Sequence, residues 1–215
     1  MQSALHFPLN EILGSRATLL VMRALTRHGG EMSVTLIVAH TGLSKRSVHH
    51  ALSMLESMRV VQSLGTSRAR LYKEREDHPL REPLAALFTA EEDRYRAILA
   101  AAGQIADADK AISAVWLYGS VARNEDTPRS DVDLALVVAE GAAATSEAVY
   151  RERLSAVEEL YAFNASVIAL ETADIERLKR DADPWWASLV RDAHAIRGER
   201  PDQLFRRSTR GRTST

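Results

Sequence analysis

Gly119-Ser120 is followed, after ten intervening residues, by Asp131-Val132-Asp133 in the segment WLYGSVARNEDTPRSDVDLALVV. Strand residues two apart point to the same face, so Asp131 and Asp133 aim together at the start of an otherwise mostly apolar run. Two carboxylates side by side repel each other and are costly to hold in a partly buried place. A divalent cation between them relieves that cost, and hard oxygen ligands suit Mg²⁺. The Gly119-Ser120 turn at a helix start offers backbone N–H groups and a hydroxyl to phosphate oxygens, and the positive charge of Arg123 can help neutralise them. Together these groups read as a site for a metal–nucleoside triphosphate (NTP). Asp131 and Asp133 are the candidate metal-binding carboxylates, and Gly119, Ser120 and Arg123 the candidate nucleotide-binding residues. The bland alternative is an Asp-rich strand edge after an ordinary turn, but carboxylates in an apolar strand bring no stability by themselves.

Those groups need a frame. The apolar run Val115 to Tyr118 reads as a strand ending at the turn, a short helix-compatible segment starts at Val121, and a second strand runs from Val132 to Val138. AEGAAATSE reads as a loop. A helix over Glu147 to Phe163 follows, with Val149, Leu154, Val157, Leu160 and Tyr161 inward, and then a third strand over Ala165 to Leu170. The remainder, to Gly198, reads as two helical pieces broken near Pro184, with Trp185 and Trp186 used for packing rather than for stacking bases. Strand and helix alternation of this kind implies a small α/β domain with a mixed sheet.

The turn, the spacing, the Asp pair and both flanking apolar runs resemble the signature of the polymerase-β-type nucleotidyltransferase superfamily, in particular its minimal nucleotidyltransferase branch. The resemblance implies transfer of a nucleoside monophosphate from Mg-NTP to a hydroxyl on a protein, RNA or small molecule, with Asp131 and Asp133 as the catalytic carboxylates. It also implies a third carboxylate, on the next strand, that binds the metal beside the attacking hydroxyl. Matching that strand to the family pattern puts Ser166 at the third position and Asn164 on the same face. Neither is a carboxylate, and Glu171 falls at the far end of the strand on the other side by alternation. Nucleotide binding with weak or no transfer, active transfer, and a scaffold that grips a partner therefore all stay open. The branch's pairing of antitoxins with toxins suggests a cognate toxin as one such partner.

The first part of the chain is patterned differently. RATLLVMRALTR reads as a helix closed by Gly29-Gly30, and Ser33 can cap a second helix, Val34 to His40, with Leu36, Ile37 and Ala39 inward. Thr41-Gly42-Leu43 is a tight turn. Ser44 can cap a third helix, Lys45 to Arg59, whose apolar positions Val48, Ala51, Leu52, Leu55 and Met58 repeat at three and four. A hairpin follows: Val60 to Leu64, a Gly65 turn, and Arg70 to Lys73. Three helices and a hairpin resemble a winged helix-turn-helix of the bacterial transcriptional-regulator type. That resemblance implies double-stranded DNA as partner, with the third helix entering the major groove by its N-terminal end. Its exposed face would offer Ser44, Lys45, Arg46, Ser47, His49 and His50, and the hairpin tip Thr66, Ser67, Arg68 and Arg70. A winged helix used only for protein contacts is the alternative. Adjacent His49 and His50 point about a quarter-turn apart, which suits solvent or DNA better than a metal.

The net charge of -1 hides an asymmetry. Residues 1–80 carry 10 Lys/Arg against 6 Asp/Glu, residues 81–198 carry 13 against 21, and residues 199–215 carry 5 against 2. A basic block joined to an acidic block suggests two domains with different partners. The expected organisation is α+β: a winged helix-turn-helix over 1–80, a nucleotidyltransferase-like domain with a leading linker helix over 81–198, and a disordered basic tail over 199–215. The linker helix, from Leu84 onward, offers Leu84, Leu87, Phe88, Tyr95, Ile98 and Leu99 as one face. It serves equally as a spacer, as the seam of a homodimer, or as packing for its own domain. The chain contains no Cys, which excludes disulfides, zinc–thiolate sites and thiol catalysis. No apolar stretch is long enough to span a bilayer, and the first residues lack a basic segment followed by an apolar core, so a cytoplasmic protein is expected. The functional expectation is a DNA-binding regulator carrying an Mg-NTP site. Its rival is a non-enzymatic repressor or antitoxin-like protein that keeps the fold only for binding.

Overall fold

A computed structural model describes residues 5–66 and 69–203. The chain divides into two compact units, 1–93 and 94–215.

In the first unit, serines start three of the helices and glycines end two of them. A short α1 (Leu9–Ile12) precedes α2 (Arg16–His28), α3 (Val34–Thr41) and α4 (Lys45–Ser57). The Ser15, Ser33 and Ser44 side chains accept hydrogen bonds from the backbone N–H groups of Thr18, Leu36 and Ser47, which satisfies donors that a helix start leaves open. Gly29 and Gly42 end α2 and α3 with φ of 69° and 66°, the left-handed region where a side chain is strained. The hairpin is β2 (Val61–Thr66) and β3 (Ala69–Glu74). Gly65 lies within β2, paired with Arg70, rather than at the turn. A two-residue strand, β1 (Met32–Ser33), pairs antiparallel with β3 and makes a three-stranded sheet that the sequence reading did not contain. Val21, Met22, Leu25, Ile37, Val48, Leu52, Leu55 and Tyr72 form the core, together with Leu84 and Phe88 from the start of α5 (Arg81–Asp107). Leu36 and Ala39, expected inward, are exposed, because α3 has little more than two turns and Ile37 takes its buried side.

The second unit is a four-stranded mixed sheet in the order β6-β5-β4-β7. Its strands are β4 (Ile112–Tyr118), β5 (Val132–Val138), β6 (Ala165–Glu171) and β7 (His194–Arg197). β4 runs antiparallel to β5 and β7, and β5 runs parallel to β6. The parallel pair needs a crossover, which α7 (Ala143–Tyr161) supplies. One face of the sheet, with Val115, Leu117, Leu134, Leu136 and Val167, packs on Ala102 and Ala106 of α5 and on Tyr150 and Leu154 of α7. The other face, with Trp116, Ala135, Val137 and Leu170, is covered by α8 (Thr172–Arg180) and α9 (Pro184–Asp192) through Ile175, Trp186 and Leu189. Trp116 and Trp186 meet at 6.1 Å between ring centroids, so Trp186 is a packing residue as expected.

Several sequence expectations shift. α7 begins at Ala143, inside the segment read as a loop, where the Glu171 carboxylate accepts the Ala143 N–H at 3.1 Å. The inward face of α7 is Ser146, Tyr150 and Leu154, while Leu160 is 73% exposed. In α5, Leu84, Phe88 and Ile98 are buried, whereas Leu87 and Tyr95 are exposed. The segment before Gly198 is a strand, β7, where the sequence reading had the end of the second helical piece.

Candidate functional site

β4 ends at Tyr118, and the chain reverses at Gly119 into the four-residue helix α6 (Gly119–Ala122). Gly119 has φ of 76°, and a Cβ placed there would lie 2.0 Å from Oδ2 of Asp133. Glycine is thus required twice over: by its backbone angle, and because the turn lies directly against the Asp133 carboxylate. The following loop closes on itself, with the Thr127 N–H donating to Ser130 Oγ at 3.0 Å and the Ser130 N–H to the Thr127 carbonyl at 2.9 Å. It delivers the chain to Asp131 at the mouth of β5.

Sheet register sets the next layer. Tyr118 lies opposite Asp133 across the β4/β5 ladder, and Ser166 lies beside Asp133 across the β5/β6 ladder. Tyr118, Asp133 and Ser166 therefore form one row on the face covered by α8 and α9, with Asp131 on the same face by alternation. Asp131 is exposed and Asp133 is half-buried. Burial pushes the Asp133 carboxyl above the usual aspartate range, the negative charge of Asp131 pushes it further, and the Arg123 guanidinium pulls it back in part. Burial, followed by the charge of Asp133, pushes the Tyr118 phenol up to about 12. Trp185 is half-buried and meets Tyr118 edge-on at 5.6 Å between centroids.

Arg123 follows α6. Its Nε donates to Glu125 Oε2 at 2.7 Å, and its Nη1 lies 3.9 Å from Asp192 Oδ2, at the end of α9. The structure thus brings Gly119, Ser120, Arg123, Asp131, Asp133 and Ser166 to one end of the sheet. Sequence reasoning missed Tyr118 and Asp192 as neighbours of this end. Tyr118 was visible as the residue before the glycine, whereas Asp192 had no local sign. Glu171 pairs with Val138 at the opposite end of the β5/β6 ladder and joins Asp174 in a capping box at the start of α8. Backbone N–H groups of Ala143 and Gly141 hold its carboxyl below the usual glutamate range. Asn164 uses its backbone carbonyl to accept the Val132 N–H at 2.8 Å.

Two carboxylates with a neighbouring hydroxyl form a hard oxygen donor set, which fits one Mg²⁺ completed by water and phosphate oxygens. Among the described residues no group of three or more His, Cys, Asp or Glu gathers to hold a metal. Among the described residues, too, no helix is long and apolar enough to cross a membrane.

In the first unit, Ser44, Lys45, Arg46, His49 and His50 are exposed around the N-terminal turns of α4. Ser47 is half-buried, and its hydroxyl lies 2.8 Å from that of Ser44, so both serines serve the helix start. Arg70 is exposed on β3. Ser67 and Arg68, and the tail from residue 204, lie outside the described residues.

No curated protein matches the chain. Among solved structures, that of the archaeal chromatin protein TrmBL2, which shows a novel mode of DNA binding, aligns over 97% of this chain and 96% of its own. The two are 10% identical with a TM-score of 0.28, too low to bear on fold or function. Residues 18–65 match the IclR helix-turn-helix domain, and residues 102–182 match the family described as polymerase beta, nucleotidyltransferase. The chain therefore carries a helix-turn-helix similar to the IclR type in its first unit and a segment similar to polymerase-β-type nucleotidyltransferases in its second.

Proposed function

We propose that this protein is a DNA-binding regulator whose second unit binds a magnesium–nucleoside triphosphate and transfers its nucleoside monophosphate poorly. The observation that carries this reading is the row in which Ser166 stands beside Asp133. Asp131 and Asp133 would hold one Mg²⁺ and, through it, the phosphates. Bound there, the ion would neutralise phosphate oxygens and polarise the phosphoryl group. Gly119 leaves the Asp133 carboxylate uncovered, and Ser120 and Arg123 face the phosphates with a hydroxyl and a positive charge. A serine hydroxyl does not replace a carboxylate as acceptor of the attacking hydroxyl's proton, so position 166 does not supply the group that would prepare that nucleophile. In the first unit, Lys45 and Arg46 meet phosphate or guanine edges and Arg70 meets the backbone.

The test is incubation with Mg²⁺ and labelled nucleoside triphosphates, with protein, RNA and DNA acceptors supplied, alongside calorimetric titration of Mg-ATP and Mg-GTP. Binding with little label transferred supports the reading. Ser166→Asp then raises transfer, on the order of a hundredfold, because it restores the missing metal-binding carboxylate. Robust transfer by the natural protein overturns the weak-transfer reading, and absence of nucleotide binding overturns the site. The same Ser166 observation favours one second reading, a non-enzymatic repressor or antitoxin-like protein whose second unit grips a protein partner. Absence of nucleotide binding together with capture of a cognate toxin would favour it.

A further inference from the structure

Arg123 stands among acids on several sides. Glu125 takes its Nε at 2.7 Å, Asp192 lies 3.9 Å from its Nη1, and its charge reaches Asp133. The two outer acids differ in kind. Glu125 has 64% of its side chain exposed and belongs to the loop just after α6, so its pairing with Arg123 is a surface contact of small worth. Asp192 has 14% of its side chain exposed and is fixed as the last residue of α9, a helix anchored in the core by Trp186 and Leu189. Arg191 donates to both Asp192 oxygens, at 2.8 and 2.9 Å, which fixes the carboxylate's orientation. A long, flexible arginine beside an anion site loses rotamer freedom when it engages its ligand. An anchored counter-charge takes that loss before the ligand arrives.

We propose that Asp192 is a positioning residue for nucleotide binding: held at the end of α9, it keeps the Arg123 guanidinium beside the Asp131–Asp133 pair, where triphosphate oxygens arrive. This rests on the nucleotide-binding reading above. A side chain from the far end of the sequence thereby tunes a motif that otherwise lies within residues 119–133. At 3.9 Å the contact is charge–charge attraction rather than a hydrogen bond, so it leaves the Nη donors of Arg123 to phosphate while Nε donates to Glu125.

The test is a double-mutant cycle on the full chain, read by calorimetric titration of Mg-ATP. Asp192→Asn weakens binding about tenfold, Arg123→Ala weakens it more, and the double variant binds no worse than Arg123→Ala alone. Additive losses mean that Asp192 acts through the general fold and overturn the proposal. Glu125→Gln removes the exposed acid paired with Arg123 and serves as the control: it keeps affinity within about threefold of the parent, and a loss matching that of Asp192→Asn overturns the proposal. A parent that binds Mg-ATP with Asp192→Asn unchanged overturns this inference alone. A parent that binds no nucleotide overturns both it and the function on which it rests.

Discussion

The two candidate sites are built in opposite ways. The surface of α4 comes from consecutive residues, Ser44 to His50, on a single helix whose start is capped by its own serine. The carboxylate site is assembled from the end of β4, the α6 turn, the starts of β5 and β6, and the end of α9. A contiguous surface carries its charge redundantly, so each substitution removes a share of binding. An assembled site depends on register and close approach, so one added methyl group can disable it. The two sites are therefore expected to fail differently under mutation.

The largest expected effect is at the assembled site. Asp131→Ala with Asp133→Ala removes both proposed metal ligands and lowers Mg-ATP affinity by more than about a hundredfold, since residues merely supporting metal ligands already cost 10–100-fold. Calorimetry measures this, and DNA affinity in the same variant stays at the parent's value. A simultaneous loss of DNA binding would break the comparison by showing that the two sites act as one. At the contiguous surface, Lys45→Glu with Arg46→Glu weakens duplex binding by roughly 10–100-fold and lowers the slope of log affinity against log salt by about 2. Fluorescence anisotropy across a salt series reads both quantities. A salt-independent parent would remove α4 as a DNA-binding surface.

Gly119→Ala sharpens the contrast with a single methyl group. Its Cβ must displace the Asp133 carboxylate, and the left-handed backbone angle adds about 1–2 kcal/mol of strain. Mg-ATP affinity falls by on the order of tenfold or more, while α4 and DNA binding are untouched. An alanine variant with parental nucleotide affinity would mean that Asp133 is not a ligand. The smallest expected effect is Ser44→Ala, which deletes the α4 cap and costs about 1 kcal/mol in stability of the first unit. Denaturant unfolding followed by circular dichroism measures it. A loss of DNA affinity far beyond that figure would give the Ser44 hydroxyl a direct role at DNA.

The difference between the sites also explains what was legible in the residues. The Ser33 and Ser44 caps, the glycine ends of α2 and α3, and the apolar spacing of α4 are relations within four residues, and the three helices fall close to where those signals put them, whereas the Ser15 cap was not read from the sequence. The strand Val132 to Val138 was read from its mostly apolar run and is observed with the same bounds. Strands β1 and β7 escaped notice because neither has a pattern of its own: Met32–Ser33 and His194–Arg197 are strands only by virtue of the partners beside them. Leu36, Leu87 and Leu160 fit an apolar face by periodicity, yet lie exposed, because a helix buries only the stripe that another element covers.

At the carboxylate site, the sequence alone determined the chemistry on offer: two carboxylates two residues apart in a strand, a Gly-Ser turn before them, and an arginine within the same short segment. It also determined that the next strand begins without a carboxylate. Tertiary structure decided the rest. Register across two ladders put Tyr118 and Ser166 on either side of Asp133 and sent Glu171 to the other end of the sheet. The fold of α9 brought Asp192 to Arg123, and the close approach of Gly119 to Asp133 appears only once β4 and β5 are paired. The physical reason is one of range. Caps and turns are hydrogen bonds between near neighbours, which the local sequence encodes. Register and long-range ion pairs are chosen by the burial of whole strand and helix faces, to which each residue contributes only a part.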